Sequence, residues 1–245
     1  MIKLVENHQE ALLVLSHLNS DKAPLLAACM FTEGFGVNQD FLQLYAAFND
    51  CGKLCAAFVK CNDRVFCLID SLYDKDEIVL FLNGFADFKI FINTEYAHII
   101  NREKLTRCTL MKKIPALKRE PHSLAVNLDS QSFTNIIMQG KSREALIRFL
   151  LNNSHLQRHG YINNFCITED EEVYSIASLY ENKNHAYLCN VFTPPGHRNK
   201  GWAYKLINDI TDIDKECHLI CSEDISPLYL KCGFIPYAKW IEFLY

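Results

Sequence analysis

Apolar residues recur at helical spacing over residues 8–19, where Ala11, Leu12, Leu15 and Leu18 share one face, and residues 21–31 predict a second apolar helix. Short apolar or alternating runs at 42–48, 53–60 and 65–70 read as strands, punctuated by the turns Asp50-Cys51-Gly52 and Asn62-Asp63. A helix from about Asp74 to Asn83, a strand at 88–92 (FKIFI), a helix over 94–102 and an extended run at 105–113 follow. Residues 114–131 contain Pro115 and Pro121 and little periodicity, which predicts a boundary there, taken as two units, 1–120 and 121–245. Beyond it, 131–139 and 142–157 read as helices, the second with Ala145, Leu146, Phe149 and Leu150 on one face. Strands are expected near 163–168, 172–180 and 185–193, then a helix at 200–210, a strand at 217–222, a short helix at 225–232 and final strands at 234–245. An antiparallel strand run that later crosses over through helices predicts an α/β fold with a mixed sheet.

The chain has 245 residues, 49% apolar and 22% charged, the balance of a globular protein with a sizeable core. Net charge is −4, from 25 basic and 29 acidic residues, and no basic block stands out, so nucleic acid is not expected as a partner. The first apolar run is short, broken by His17 and preceded by Glu6 and Glu10, unlike a signal peptide. No stretch of about 18 apolar residues predicts a membrane span, and a cytoplasmic protein is expected. Most of the 11 cysteines lie in apolar runs, such as Cys55 in KLCAAFV, Cys67 in VFCLI, Cys189 in AYLCNVF and Cys221 in HLICS. There a thiol behaves as a small hydrophobe. With no C-x-x-C pair, reduced buried thiols and no metal are expected.

The segment HAYLCNVFTPPGHRNKGWAYKLINDI carries the most chemistry. A strand runs into Pro194-Pro195-Gly196, which stops both pairing and helix, and Arg198-x-x-Gly201-x-Ala203 then opens an amphipathic helix. A helix start leaves backbone N–H groups unpaired and adds partial positive charge. Gly201 and Ala203 let an anion approach the backbone, and Arg198 and Lys200 add charge.

This strand, loop and helix resemble the coenzyme A motif of the GNAT superfamily of acetyltransferases, Arg/Gln-x-x-Gly-x-Gly/Ala. Downstream, Ser226-Pro227-Leu228-Tyr229-Leu230-Lys231-Cys232-Gly233-Phe234 resembles the family's second signature, Leu-Tyr-x-x-x-Gly-Phe. The resemblance covers roughly residues 130–245. It implies a GNAT fold in the C-terminal half and acetyl-coenzyme A as cosubstrate. The pyrophosphate would lie on Arg198, Asn199, Lys200, Gly201, Trp202 and Ala203, with the pantetheine against Asn190, Val191, Phe192 and Thr193. Tyr229 would serve the departing thiolate. Where the family often has asparagine, seven residues before that tyrosine, this chain has Ser222, whose shorter hydroxyl would contact the cofactor. The implied reaction is transfer of an acetyl or small acyl group to a small-molecule or peptide amine by direct attack in a ternary complex. The alternative is a non-catalytic acyl-coenzyme A binding or sensing module. Residues 1–113 share an approximate element order but no such loop, so a degenerate GNAT-like unit without cofactor is expected there.

An amine with a pKa of about 10.4 must lose a proton before attack. Glu181, His185, Glu223 and Asp224 are the candidate bases near the expected cleft; spacing singles out none of them, and Glu181 is carried as the catalytic candidate. Other constellations carry less. His155 and His159 have helical spacing, but Leu156 stands where a metalloprotease needs glutamate. Arg158 or His159 could border the acceptor pocket. Gly34-Phe35-Gly36 follows a helix, not a strand. Glu169-Asp170-Glu171-Glu172 reads as a solvated turn. Cys221 and Cys232 are conceivable nucleophiles, but Cys221 and His218 sit three apart on a strand and face opposite ways.

Overall fold

The computed structural model describes residues 1–71, 74–115, 124–170 and 172–244. The expected boundary at 120/121 lies outside these described residues, as does Glu171 of the acidic run. By contact the chain forms two compact units that are interleaved in sequence. One comprises Met1–Leu110, Ile220–Asp224 and Pro236–Tyr245, and the other Met111–Leu219 and Ile225–Ile235.

The elements of the first stretch are β1 (Ile2–Leu4), α1 (His8–Ser16), α2 (Lys22–Phe35), β2 (Leu42–Phe48), β3 (Leu54–Cys61), β4 (Arg64–Ile69), α3 (Lys75–Asn83), β5 (Lys89–Asn93) and β6 (Leu105–Lys113). Asn7 and Asp74 cap α1 and α3 by accepting from the N–H groups of Glu10 and Glu77. The helix expected over 94–102 is a 3₁₀ stretch at Thr94–Ile99, started by Asn93 accepting from Glu95 N, and Ile100 is already extended.

The second stretch contains β7 (Val126–Asn127), α4 (Ser130–Ile137), α5 (Arg143–Arg158), β8 (Ile162–Glu169), β9 (Glu172–Glu181), β10 (His185–Phe192), α6 (Trp202–Thr211), β11 (Glu216–Ser222) and α7 (Ser226–Lys231). A single strand, β12 (Ile235–Phe243), replaces the final strands expected at 234–245.

In the first unit the strand order is β1-β2-β3-β4-β5-β12-β6. β4 and β5 are parallel, and β12 runs antiparallel to β5, with Trp240 opposite Asn93 and Phe243 opposite Ile90. Cys55 through Val59 of β3 are all buried, the continuous apolar run of a strand covered on both faces. Phe58, Val65, Cys67, Ile90 and Ile92 pack with Ile78 and Leu82 of α3, and Phe243 completes the cluster. That packing is why residues 236–245 join the first unit rather than the second.

In the second unit the order is β11-β10-β9-β8-β7, with only β10 and β11 parallel. Leu206, Ile207 and Ile210 form the buried face of α6, which packs across β8 and β9. Phe133 of α4 is wholly buried, stacks on Phe149 of α5 and packs against Cys166, Ile176 and Phe192. The fold is therefore mixed α/β with a mixed sheet, as the order of elements predicts. Among the described residues no helix is long and apolar enough to cross a membrane.

Candidate active site

β10 and β11 pair only over His185–Tyr187 against Glu216–His218. Past Tyr187 they part, so the rest of β10 has one edge with no strand partner among the described residues. On its other edge β10 slips against β9: Cys189 lies opposite Ser178, yet Phe192 lies opposite Ile176. The extra residue is a bulge, and Asn190 adopts φ 54°, the left-handed region that asparagine tolerates better than most side chains. A buried hydrogen-bond chain holds it. Asn190 Nδ2 donates to Ser178 Oγ (3.3 Å), which donates to Asn164 Oδ1 (2.8 Å). Asn164 Nδ2 in turn donates to Gln157 Oε1 at 3.3 Å.

The loop after β10 ends at Gly201, the N-cap of α6, with φ 81°. Among the described residues no side chain caps this helix. Its first ladder bond runs from Lys205 N to Gly201 O (3.0 Å), which leaves the N–H groups of Trp202, Ala203 and Tyr204 outside the ladder. Asn199, also left-handed at φ 62°, completes the tight approach. Arg198 Nε donates to Thr193 O (3.0 Å), and its guanidinium lies 5.9 Å from the Phe192 ring. Trp202 stacks on Tyr174 at 4.6 Å, with Lys205 Nζ 4.3 Å from its ring centre.

These parts face one cavity of about 850 Å³, confined to the second unit. Val191, Phe192 and Thr193 line it together with Arg198, Asn199, Gly201, Trp202 and Ala203. Tyr229 of α7, only 6% exposed and edge-on to Phe234, lines it beside Pro227 and Leu228.

A bulged strand, an uncapped helix start and a tyrosine on one cavity invite comparison with known families. Residues 126–234 match the model of the acetyltransferase (GNAT) family. The C-terminal half carries a GNAT domain. Solved structures agree in fold along the whole chain. A GNAT-family acetyltransferase from Colwellia psychrerythraea is 13% identical with a TM-score of 0.60, covering 99% of this chain and 98% of that one. A tandem GNAT protein from the clavulanic acid biosynthesis pathway is 10% identical with a TM-score of 0.59, at 99% and 98% coverage. A GCN5-related N-acetyltransferase from Sphaerobacter thermophilus is 10% identical with a TM-score of 0.63, at 99% and 94% coverage. No curated protein sequence matches the chain.

Within the GNAT domain, the other sequence-predicted residues lie off the cavity. Asn190 sits in the bulge and Lys200 is exposed within the loop. Ser222 ends β11 and Glu223 pairs with Lys239 at 2.6 Å, both inside the first unit. Glu181 lies opposite Ala186, at the closed end of the β10–β11 pair, and binds Lys215 Nζ at 3.0 Å. Five residues of strand separate that position from Val191, roughly 17 Å. The cavity also takes in His197, Tyr204, Ile225 and Lys231, none of them singled out by sequence. His197 Nε2 is 3.0 Å from Glu172 Oε1, at the start of β9. Cys221 is buried, and burial pushes its thiol up to about 12, which disfavours the thiolate that a nucleophile needs. Burial likewise holds the His218 imidazole down at about 4, against the pull of Glu216.

Among the described residues, the corresponding helix of the first unit offers no such cradle. At α3, the helix that follows β4, the Asp74 side chain occupies the cap and Asp76 and Glu77 fill the first turn. Carboxylates there repel the anion that α6 would attract.

All 11 cysteines are free, and only Cys51 is exposed. Burial pushes Cys61, Cys189 and Cys217 up to about 12. Native protein treated with a chromogenic aromatic disulfide should show one fast thiol, lost in Cys51→Ser. Several fast thiols would count against this packing.

Proposed function

We propose that the GNAT domain moves an acetyl or small acyl group from acetyl-coenzyme A to an amine on a small molecule or peptide. The observation that carries this reading is that the uncapped start of α6, the free edge of β10 and Tyr229 share one cavity. The residues fit the cosubstrate. A Cβ built on Gly201 would meet no atom within 4 Å, so that face of the loop is open to a ligand. Three N–H groups at the positive end of α6, with Arg198 and Lys200, suit a pyrophosphate. Backbone groups on the free edge of Asn190–Phe192 suit the amides of pantetheine. Acetyl-coenzyme A supplies the activated acyl group. Tyr229 donates to the sulfur that leaves, and its burial makes that contact worth more than in water.

Among the described lining residues there is no carboxylate, so this reading gives the amine's proton to water and assigns Glu181 no chemical role. The same feature favours a second reading, an acyl-coenzyme A binding or sensing module without turnover. Tyr229→Phe separates them. Transfer predicts turnover about 100-fold lower, with cofactor affinity within twofold of wild type, in an amine screen read by thiol release. Tight acetyl-coenzyme A binding with no thiol release from any amine class would favour the sensor.

A further inference from the structure

At the closed end of the β10–β11 pair, away from the acyl-coenzyme A cavity, three metal-binding side chains converge. His185 and Glu216 are register partners, and His218 pairs with Tyr187 one step along. In a parallel pair, alternate residues share a face, so all three point the same way. One donor atom from each lies within 4.8 Å of the other two. His218 Nε2 is 2.7 Å from Glu216 Oε1, and the His185 and His218 rings are 5.6 Å apart.

We propose that His185, Glu216 and His218 form a zinc(II)-type site that clips β10 to β11 where the two strands are still paired. Two imidazoles and one carboxylate are a ligand set that zinc accepts, with water in the fourth position. His185 Nδ1 is buried and has no hydrogen-bond partner among the described residues, a costly state that a metal bond would relieve. Lys112 Nζ, 3.5 Å from Glu216 Oε2, engages one carboxylate oxygen and leaves Oε1 turned toward His218. Asn182 Oδ1 accepts from His185 N (2.9 Å) and fixes the strand start. A tetrahedral ion with bonds of about 2.0–2.1 Å spaces its ligands about 3.3 Å apart, so side-chain rotation of about 1.5 Å closes the widest gap. Three ligands on two strands, far apart in sequence, tie down the end from which the splay begins. The site stands independently of the acyl-transfer reading.

The test uses the full chain carrying Cys51→Ser, to remove the exposed thiol, stripped with chelator and titrated with Co²⁺ and then Zn²⁺. One equivalent of Co²⁺ should give the visible absorption of a four-coordinate site, which Zn²⁺ then bleaches. Zn²⁺ should also raise the unfolding temperature. His185→Gln and Glu216→Gln, at partly exposed positions, should remain folded by circular dichroism, lose the band and bind Zn²⁺ at least about 100-fold more weakly. No saturable uptake by the parent protein, or an affinity unchanged in both variants, would overturn the site. Acetyl-coenzyme A titration of the same samples reports on the other cavity separately.

Discussion

Glutamate in place of Gly201 is expected to weaken acetyl-coenzyme A binding at least about 100-fold, measured by isothermal titration. That factor corresponds to about 2.8 kcal/mol, at about 1.4 kcal/mol per tenfold. Two causes add. Gly201 holds φ 81°, where a side chain costs about 1–2 kcal/mol. The new carboxylate would also sit at the start of α6, repelling the pyrophosphate and competing for the N–H groups of Trp202, Ala203 and Tyr204. Gly201→Ala separates the two, because it keeps the backbone strain without the charge. A loss of about tenfold or less with alanine against 100-fold with glutamate places most of the effect in the anion cradle. Equal losses would place it in the backbone, and full affinity in both would remove the loop from the cosubstrate site.

The largest loss of stability is expected at Trp240. Its ring is 2% exposed, and Nε1 donates to Asp21 Oδ2, an atom that also accepts from Asn93 Nδ2 at 3.2 Å. Trp240→Ala should cost about 3–5 kcal/mol, the range for removing a large buried ring. It also takes a donor from a part-buried carboxylate. Trp240→Phe keeps most of the volume and should cost less, about 1.5–3 kcal/mol for a hydrogen bond to a charged group. Urea unfolding followed by circular dichroism checks both. Because the chain has two units, the shift should appear in one transition if they unfold separately. An unshifted curve for alanine would mean that β12 adds little to the first unit.

Local signals in the sequence carried well into the structure. The heptad-like spacing of Leu146, Phe149 and Leu150 marks α5, whose start Ser142 caps. Asn62, at φ 54°, makes the β3–β4 turn that Asn62-Asp63 foretells. The loop from Arg198 to Ala203 was legible for the same reason, since its glycine and its helix lie side by side in sequence. What depends on a distant partner was not. The bulge at Asn190 exists only relative to Ile176 and Ser178. Glu181 looked close to the cleft because it ends a neighbouring strand, yet antiparallel pairing puts that end beside Ala186. β1 and β7, of three and two residues, are too short to show any alternation. His185 and His218 met only through the parallel register of β10 and β11.

The interleaving of the units has a consequence for biosynthesis. A ribosome releases the chain from its N-terminus, and ordinary domains fold in that order. Here Met1–Leu110 cannot complete its sheet until residues 236–245 have been made, after the whole of Met111–Leu219. At about 5–20 residues per second, that wait lasts roughly 6–25 s. Meanwhile the edge of β5 that β12 will cover stays unpaired, a template for a neighbouring nascent chain. The second unit, although later in the message, is the first that can close.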